Sequence, residues 1–241
     1  MKILQKLAAK QEDVFSDNAA TIVVFGDSNT QGCFECFMNE EGVIDTVFET
    51  YNSYGAKLKQ ILQVLYPKAQ INLINSGISG DNATNALKRV ESSVLVYNPD
   101  LVIISFGTND AGAGLDGLEQ YKQSLDGIFA KLKEKEIDVI FLSSVLKNTY
   151  VSNKLTDPTL REIAAQQVVL VEQDMDGLYF GEAKKLCEQY GFLFCDCHTK
   201  WKKMRENGVD TTALLANSLN HPIRELHWLF ATSLVEMIFE K

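Results

Sequence analysis

Runs of four or five apolar residues alternate along this chain with longer stretches whose apolar positions recur every three or four residues. The first run, Ile22-Val23-Val24-Phe25, leads straight into Gly26-Asp27-Ser28. A short apolar run closed by glycine predicts a buried strand that turns sharply where it leaves the sheet. Further strands are predicted over 71–74, 101–105, 138–143 and 192–195. The helical spacing of Tyr54, Leu58, Ile61, Leu62 and Leu65 predicts a helix capped by Ser53 and ended by Pro67. Ala83, Leu87, Val90 and Val94 predict another, and Leu118, Tyr121, Leu125, Ile128, Phe129 and Leu132 a third. Asp157-Pro158 is a strong helix start, and the helical region after it runs to Gly191 with a break predicted around Asp176-Gly177. A short helical stretch follows near 199–206. A last helix carries Leu226, Leu229, Phe230, Leu234, Met237 and Ile238.

Residues 3–14 form a short amphipathic helix pattern, joined to the first strand by a polar link over 16–18, so that 1–20 is an N-terminal helix and link. Residues 32–51 show no clear period and read as a long irregular loop beside Ser28. Strands alternating with helices predict a parallel sheet covered on both faces. With no internal repeat or linker, 1–241 reads as one α/β domain. In the strand order 2-1-3-4-5, the polar edges after strands 1, 2 and 3 lie side by side. These edges are Gly26-Asp27-Ser28-Asn29, Gly77-Ile78-Ser79-Gly80-Asp81 and Gly107-Thr108-Asn109-Asp110.

Composition narrows the function. The net charge of −9, with 46% hydrophobic and 23% charged residues, is that of an acidic globular chain. It offers no basic track for a nucleic acid. No apolar stretch is long enough to span a membrane. Lys2, Lys6 and Lys10 interrupt the N-terminus, which therefore lacks the apolar core of a signal peptide, and a cytoplasmic location is expected. The five cysteines do not form a dense framework of disulfides. Gly-x-x-x-x-Gly-Lys does not occur, so no P-loop points to nucleotide phosphates, and no cofactor is implied.

The converging edges instead suit acyl transfer. This chemistry needs a nucleophile, a base, and donors aimed at a developing oxyanion. Ser28 offers the hydroxyl and its own N–H. Gly80 offers an unobstructed N–H, and Asn109 a side-chain amide. Of the three histidines, His198 follows the fifth strand and His227 opens the last helix. His221, in a loop before that helix and fixed by Pro222, is the best candidate base.

These blocks, Gly26-Asp27-Ser28, Gly80, Gly107-Thr108-Asn109-Asp110 and His221-Pro222, occur in the order and spacing of the SGNH (GDSL) hydrolases, and nearly the whole chain resembles that family. The resemblance implies a three-layer α/β/α flavodoxin-like fold with a five-stranded parallel sheet. It also implies ester hydrolysis, with Ser28 as nucleophile, His221 as base, and Ser28, Gly80 and Asn109 as oxyanion hole. The pattern is most similar to bacterial members that deacetylate carbohydrates, so a small-molecule ester, acetylated and on a sugar, is the expected substrate. Lysophospholipase- and thioesterase-type acyl hydrolysis is the alternative.

Two departures stand out. The family usually places aspartate three residues before the histidine, where this chain has Ser218. A Ser–His dyad is then expected, with His221 oriented by a backbone carbonyl or by Ser218. After His221-Pro222 the chain reads Ile223-Arg224-Glu225-Leu226, where relatives often have Asn and Gly. Asp27, Asn29, Asp81 and Asp110 flank the site, either next to substrate or holding the loops. Two rival readings remain at this level. Cys33-x-x-Cys36 with Cys195-x-Cys197-His198 contains enough ligands for zinc, although strands 1 and 5 stand roughly 14 Å apart. A binding module without turnover is the other.

Overall fold

In the computed structural model, which describes residues 1–16 and 18–240, the predicted strands form one parallel sheet. Asp17 of the polar link and Lys241 lie outside the described residues. In chain order the elements are α1 (Lys2–Glu12), β1 (Ala20–Gly26), α2 (Ser28–Gln31), β2 (Cys33–Met38), β3 (Ile44–Phe48), α3 (Tyr54–Leu65), β4 (Ile71–Gly77) and α4 (Ala83–Ser93). There follow β5 (Leu101–Ser105), α5 (Leu118–Glu134), β6 (Asp138–Leu142), α6 (Pro158–Glu172), α7 (Met175–Tyr190), β7 (Leu193–Cys195), α8 (Cys197–Glu206) and α9 (His227–Phe239). The large sheet runs β4-β1-β5-β6-β7, all neighbours parallel. This is the expected order, with β1 central among the three site-bearing strands.

The alternation along β1 explains the three layers. Ile22 and Val24 face a core shared with α1, α3 and α9, while Val23 and Phe25 face one shared with α4, α5 and α7. Both faces of the strand are buried, so it reads as an unbroken apolar run rather than an alternating one. Each fully buried side chain of this size contributes about 1.5–3 kcal/mol. Among the described residues, no helix is long and apolar enough to cross a membrane.

The structure corrects three local expectations. Residues 32–51 are not an irregular loop. They contain an antiparallel hairpin, β2 with β3, whose register is irregular between Cys33 and Cys36. Its turn is built by Asn39, whose side chain accepts the N–H of Glu41 at 3.1 Å and of Val43 at 2.9 Å, and by Gly42 at φ 73°. Because both strands are short and half-exposed, their apolar periodicity is weak. The break between α6 and α7 falls at Gln173 and Asp174, where Asp174 adopts φ 50°, rather than at Asp176-Gly177. Finally, α8 starts at Cys197, because Asp196 caps it by accepting from Thr199 N at 3.0 Å.

Gly26 sits where β1 ends against its neighbours. A Cβ there would lie 2.6 Å from the Ser105 carbonyl oxygen and 2.1 Å from Thr30 Oγ1, which is tied to the Tyr54 hydroxyl at 2.8 Å. Gly26→Ala is therefore expected to destabilise the fold by about 1–3 kcal/mol through overpacking. The shift in denaturant midpoint at unchanged slope measures this cost.

Candidate active site

The end of β1 delivers Ser28 as the first residue of the one-turn helix α2. Asp27 caps that helix, accepting Asn29 N at 3.0 Å. The Ser28 N–H thus belongs to a first helical turn, whose amides have no intrahelical acceptor. The β4 edge bends through Gly80 at φ 77°, where a Cβ would meet nothing within 4 Å, so the approach to its backbone is open. The β5 edge presents Asn109, whose Nδ2 donates to the Asp81 carbonyl at 2.8 Å. That bond uses one of its two N–H groups and leaves the other available. The structure therefore brings Ser28, Gly80 and Asn109 to one sheet edge.

His221 arrives from the opposite end of the chain. Leu215 and Pro222 form an antiparallel bridge, and Ala216 N donates to the His221 carbonyl at 2.7 Å, closing a tight loop. Asn217 fills that loop. Its Oδ1 accepts from Leu219 N at 3.0 Å, Asn220 N at 2.9 Å and His221 N at 2.9 Å. His221 Nε2 then lies 2.9 Å from Ser28 Oγ, and Nδ1 lies 2.8 Å from the Phe34 carbonyl oxygen of β2. A carbonyl can only accept, so the proton resides on Nδ1, and Nε2 presents its lone pair to the serine hydroxyl.

Ser218 is not the orienting partner. The turn around Asn217 puts it in the left-handed region at φ 56°. Among the described residues, Nδ1 meets only Phe34 O and, at 3.9 Å, Cys36 Sγ. The other histidines lie elsewhere. His198 Nδ1 is 3.1 Å from the Val145 carbonyl, and His227 is buried against the rings of Phe34 and Tyr54.

The flanking polar residues hold these loops. Asp81 pairs with Arg89 at 2.6 Å, and Asp110 accepts from Ala83 N and Gly107 N, each at 3.0 Å. Asn29 Nδ2 reaches Ser144 Oγ at 3.2 Å and the Asn220 carbonyl at 3.3 Å, tying α2 to the histidine loop. Burial pushes the Asp27 carboxyl up to about 7, against its bond from Asn29 N and with help from the charges of Asp110 and Asp81. Burial likewise raises Asp110 to about 6. The cysteines are all free, and Cys195 and Cys197 face each other at 4.0 Å. Among the described residues, no group of three or more His, Cys, Asp or Glu converges as a metal ion would require.

The sequence pattern of the GDSL-like lipase/acylhydrolase family matches residues 24–229, from β1 into α9. The chain belongs to that family. It is thereby a carboxylic ester hydrolase of the SGNH type. Among curated proteins it is similar to an acetylxylan esterase of Geobacillus stearothermophilus, 25% identical over 226 residues, covering 90% of this chain and 93% of the relative. A solved form of an acetyl-xylooligosaccharide esterase from that organism shares the fold, with a TM-score of 0.66 at 22% identity over 92% of this chain and 95% of that one. So does a two-domain esterase active on acetylated mannans, with a TM-score of 0.65 at 18% identity. This chain aligns over 98% of its own length and spans 52% of that larger protein.

Within the SGNH pattern, three parts of the site have positions that sequence reasoning does not assign. Asn217 stands in the histidine loop, and an Asn four residues before a loop histidine is the kind of side chain that caps several amides at once. Arg224 and the β2–β3 hairpin have their signal in Arg224, Glu35 and Glu49, charges far apart in the chain. The Phe34 carbonyl has none, because every residue has a carbonyl.

His221 is 5% exposed, and burial pushes its pKa down to about 4, opposed by the Phe34 carbonyl and the charge of Glu35. A base acts only when neutral, so a reaction that uses His221 as its base speeds up with pH as His221 loses its proton. The acid limb of kcat/KM is expected near pH 4 rather than near the ordinary histidine value of about 6.5. Asp27 titrates at higher pH, so Asp27→Asn should leave that limb where it is. A pH–rate profile of both proteins checks the assignment.

Proposed function

We propose that this protein is a serine esterase that removes a small acyl group, acetyl, from a carbohydrate ester, with Ser28 as nucleophile and His221 as base. The observation that carries the reading is the line from Ser28 Oγ to His221 Nε2 at 2.9 Å and from Nδ1 to the Phe34 carbonyl at 2.8 Å. Ser28 Oγ attacks the ester carbonyl as Nε2 takes its proton. The charge that develops on the carbonyl oxygen meets the N–H groups of Ser28 and Gly80 and the free N–H of Asn109. Such donors are most valuable when they are already in place. His221, now an imidazolium held by a neutral carbonyl, returns the proton to the leaving alcohol. Water then repeats the sequence on the acyl-enzyme.

The substrate class rests on different support. The similar acetylxylan and acetylated-mannan esterases act on acetyl groups carried by sugars. A cavity of about 490 Å³ borders the site through Asn109 and Asn220, and also presents Lys147, Gln166 and Gln167. Its wall combines these polar groups with Ile163, Val169 and Leu170, a mixture that suits a sugar ring, whose hydroxyls seek amides and whose C–H faces seek apolar side chains.

Ser28→Ala should abolish turnover and leave the fold intact. His221→Ala should do nearly as much damage, and the two losses should not add, because the residues act as a unit. Asn109→Ala should lower kcat about a hundredfold or more with little change in KM, as an oxyanion donor acts in the transition state. Steady-state kinetics with p-nitrophenyl acetate read all three. In a substrate panel, acetylated xylo- and mannooligosaccharides should be turned over in preference to p-nitrophenyl esters of long acyl chains. The reverse preference would favour lysophospholipase-type chemistry.

A further inference from the structure

The bond that orients His221 comes from a main-chain carbonyl on a two-stranded sheet, and a carbonyl is only as well placed as its strand. That strand is irregular between Cys33 and Cys36, where Phe34 lies. One side chain converges on this weak point. Arg224 Nη1 and Nη2 donate to the two oxygens of Glu35 at 2.7 and 2.9 Å. Its Nε and Nη2 donate to those of Glu49 at 2.8 and 2.6 Å. Its guanidinium lies over the Phe34 ring, 4.4 Å from the centroid.

Arg224 follows His221 by three residues, Glu35 follows Phe34 by one, and Glu49 follows β3. The fork therefore joins the segment that carries the base to both strands of the hairpin that carries its acceptor. Planar, doubly bidentate pairing of this kind fixes geometry in a way that a lysine cannot. The side chains of Arg224, Glu35 and Glu49 are 30%, 45% and 19% exposed, and ion pairs within reach of solvent each add little to global stability. What the fork constrains is the placement of one carbonyl.

We propose that Arg224 is a positioning residue for catalysis, which holds the Phe34 carbonyl against His221 Nδ1 and so replaces by geometry the carboxylate missing at Ser218. This inference rests on the esterase reading above. Glu35 additionally places a negative charge where it favours the imidazolium. The departure after His221-Pro222 and the departure at Ser218 are then one arrangement.

The test is a cycle of wild type, Arg224→Ala, Ser218→Asp and the double variant, with kcat and KM for p-nitrophenyl acetate, fluorophosphonate labelling of Ser28, and melting temperature. Position 218 has φ 56°, a region that aspartate tolerates. Arg224→Ala should lower kcat roughly ten- to hundredfold, the scale of a small misplacement of a catalytic group. KM should stay within about twofold, and labelling should slow in parallel. In that background, Ser218→Asp should restore kcat by a larger factor than it raises it in wild type, because the carboxylate supplies an orientation that wild type already has. Equal factors in both backgrounds, a loss confined to KM, or an unimpaired Arg224→Ala would overturn the role of Arg224 and leave the esterase reading standing. A wild type that is neither active nor labelled would overturn both. If Arg224→Ala fails to fold, Arg224→Lys, which keeps the charge and loses the fork, takes its place in the same cycle.

Discussion

The hydrogen bond from His221 Nδ1 to the Phe34 carbonyl, 2.8 Å long, is the contact on which the rest of the site depends. It decides which nitrogen bears the proton, and so whether Nε2 can accept from Ser28. It also bears on how readily His221 takes up a proton. A carboxylate in that place would raise the histidine pKa by charge. A carbonyl offers only a dipole, burial dominates, and the pKa falls to about 4. His221 is therefore neutral over the whole physiological range, and its pairing with Ser28 is not interrupted by protonation.

The fold around this bond brings four distant segments within a few ångströms. The parallel sheet supplies rigidity at Ser28, Gly80 and Asn109, since the strands bearing them are hydrogen-bonded neighbours. The histidine loop has no such scaffold. It is built from Asn217, which satisfies three backbone amides with one oxygen, and is tied to α2 through Asn29. An unsatisfied amide in a buried loop costs about 1–3 kcal/mol, and Asn217 removes that cost at three positions of the loop. The hairpin is the third part, held to the loop by the Arg224 fork.

Three positions before His221, where the family pattern carries aspartate, this chain has serine. The role proposed for Arg224 links the two departures from the family pattern: where Ser218 leaves out a carboxylate, the fork of Arg224 onto Glu35 and Glu49 holds the hairpin that carries the Phe34 carbonyl.

The sequence by itself determined the strands of the sheet and the three polar edges that end them, while the strand order that brings those edges together at Ser28 belongs to the tertiary structure. Buried parallel strands must be apolar throughout, and the turns that end them need Gly, Asp and Asn, so both leave marks in the residue pattern. It also marked His221, through Pro222 and the block it belongs to. Tertiary structure alone decided what orients that histidine. The acceptor is a main-chain oxygen, which no residue type announces. It sits on a short, half-exposed hairpin whose periodicity is too weak to read, and it is held by charges 175 and 189 residues apart. Side-chain chemistry is written locally in a sequence, whereas the placement of a backbone carbonyl emerges only when distant segments pack.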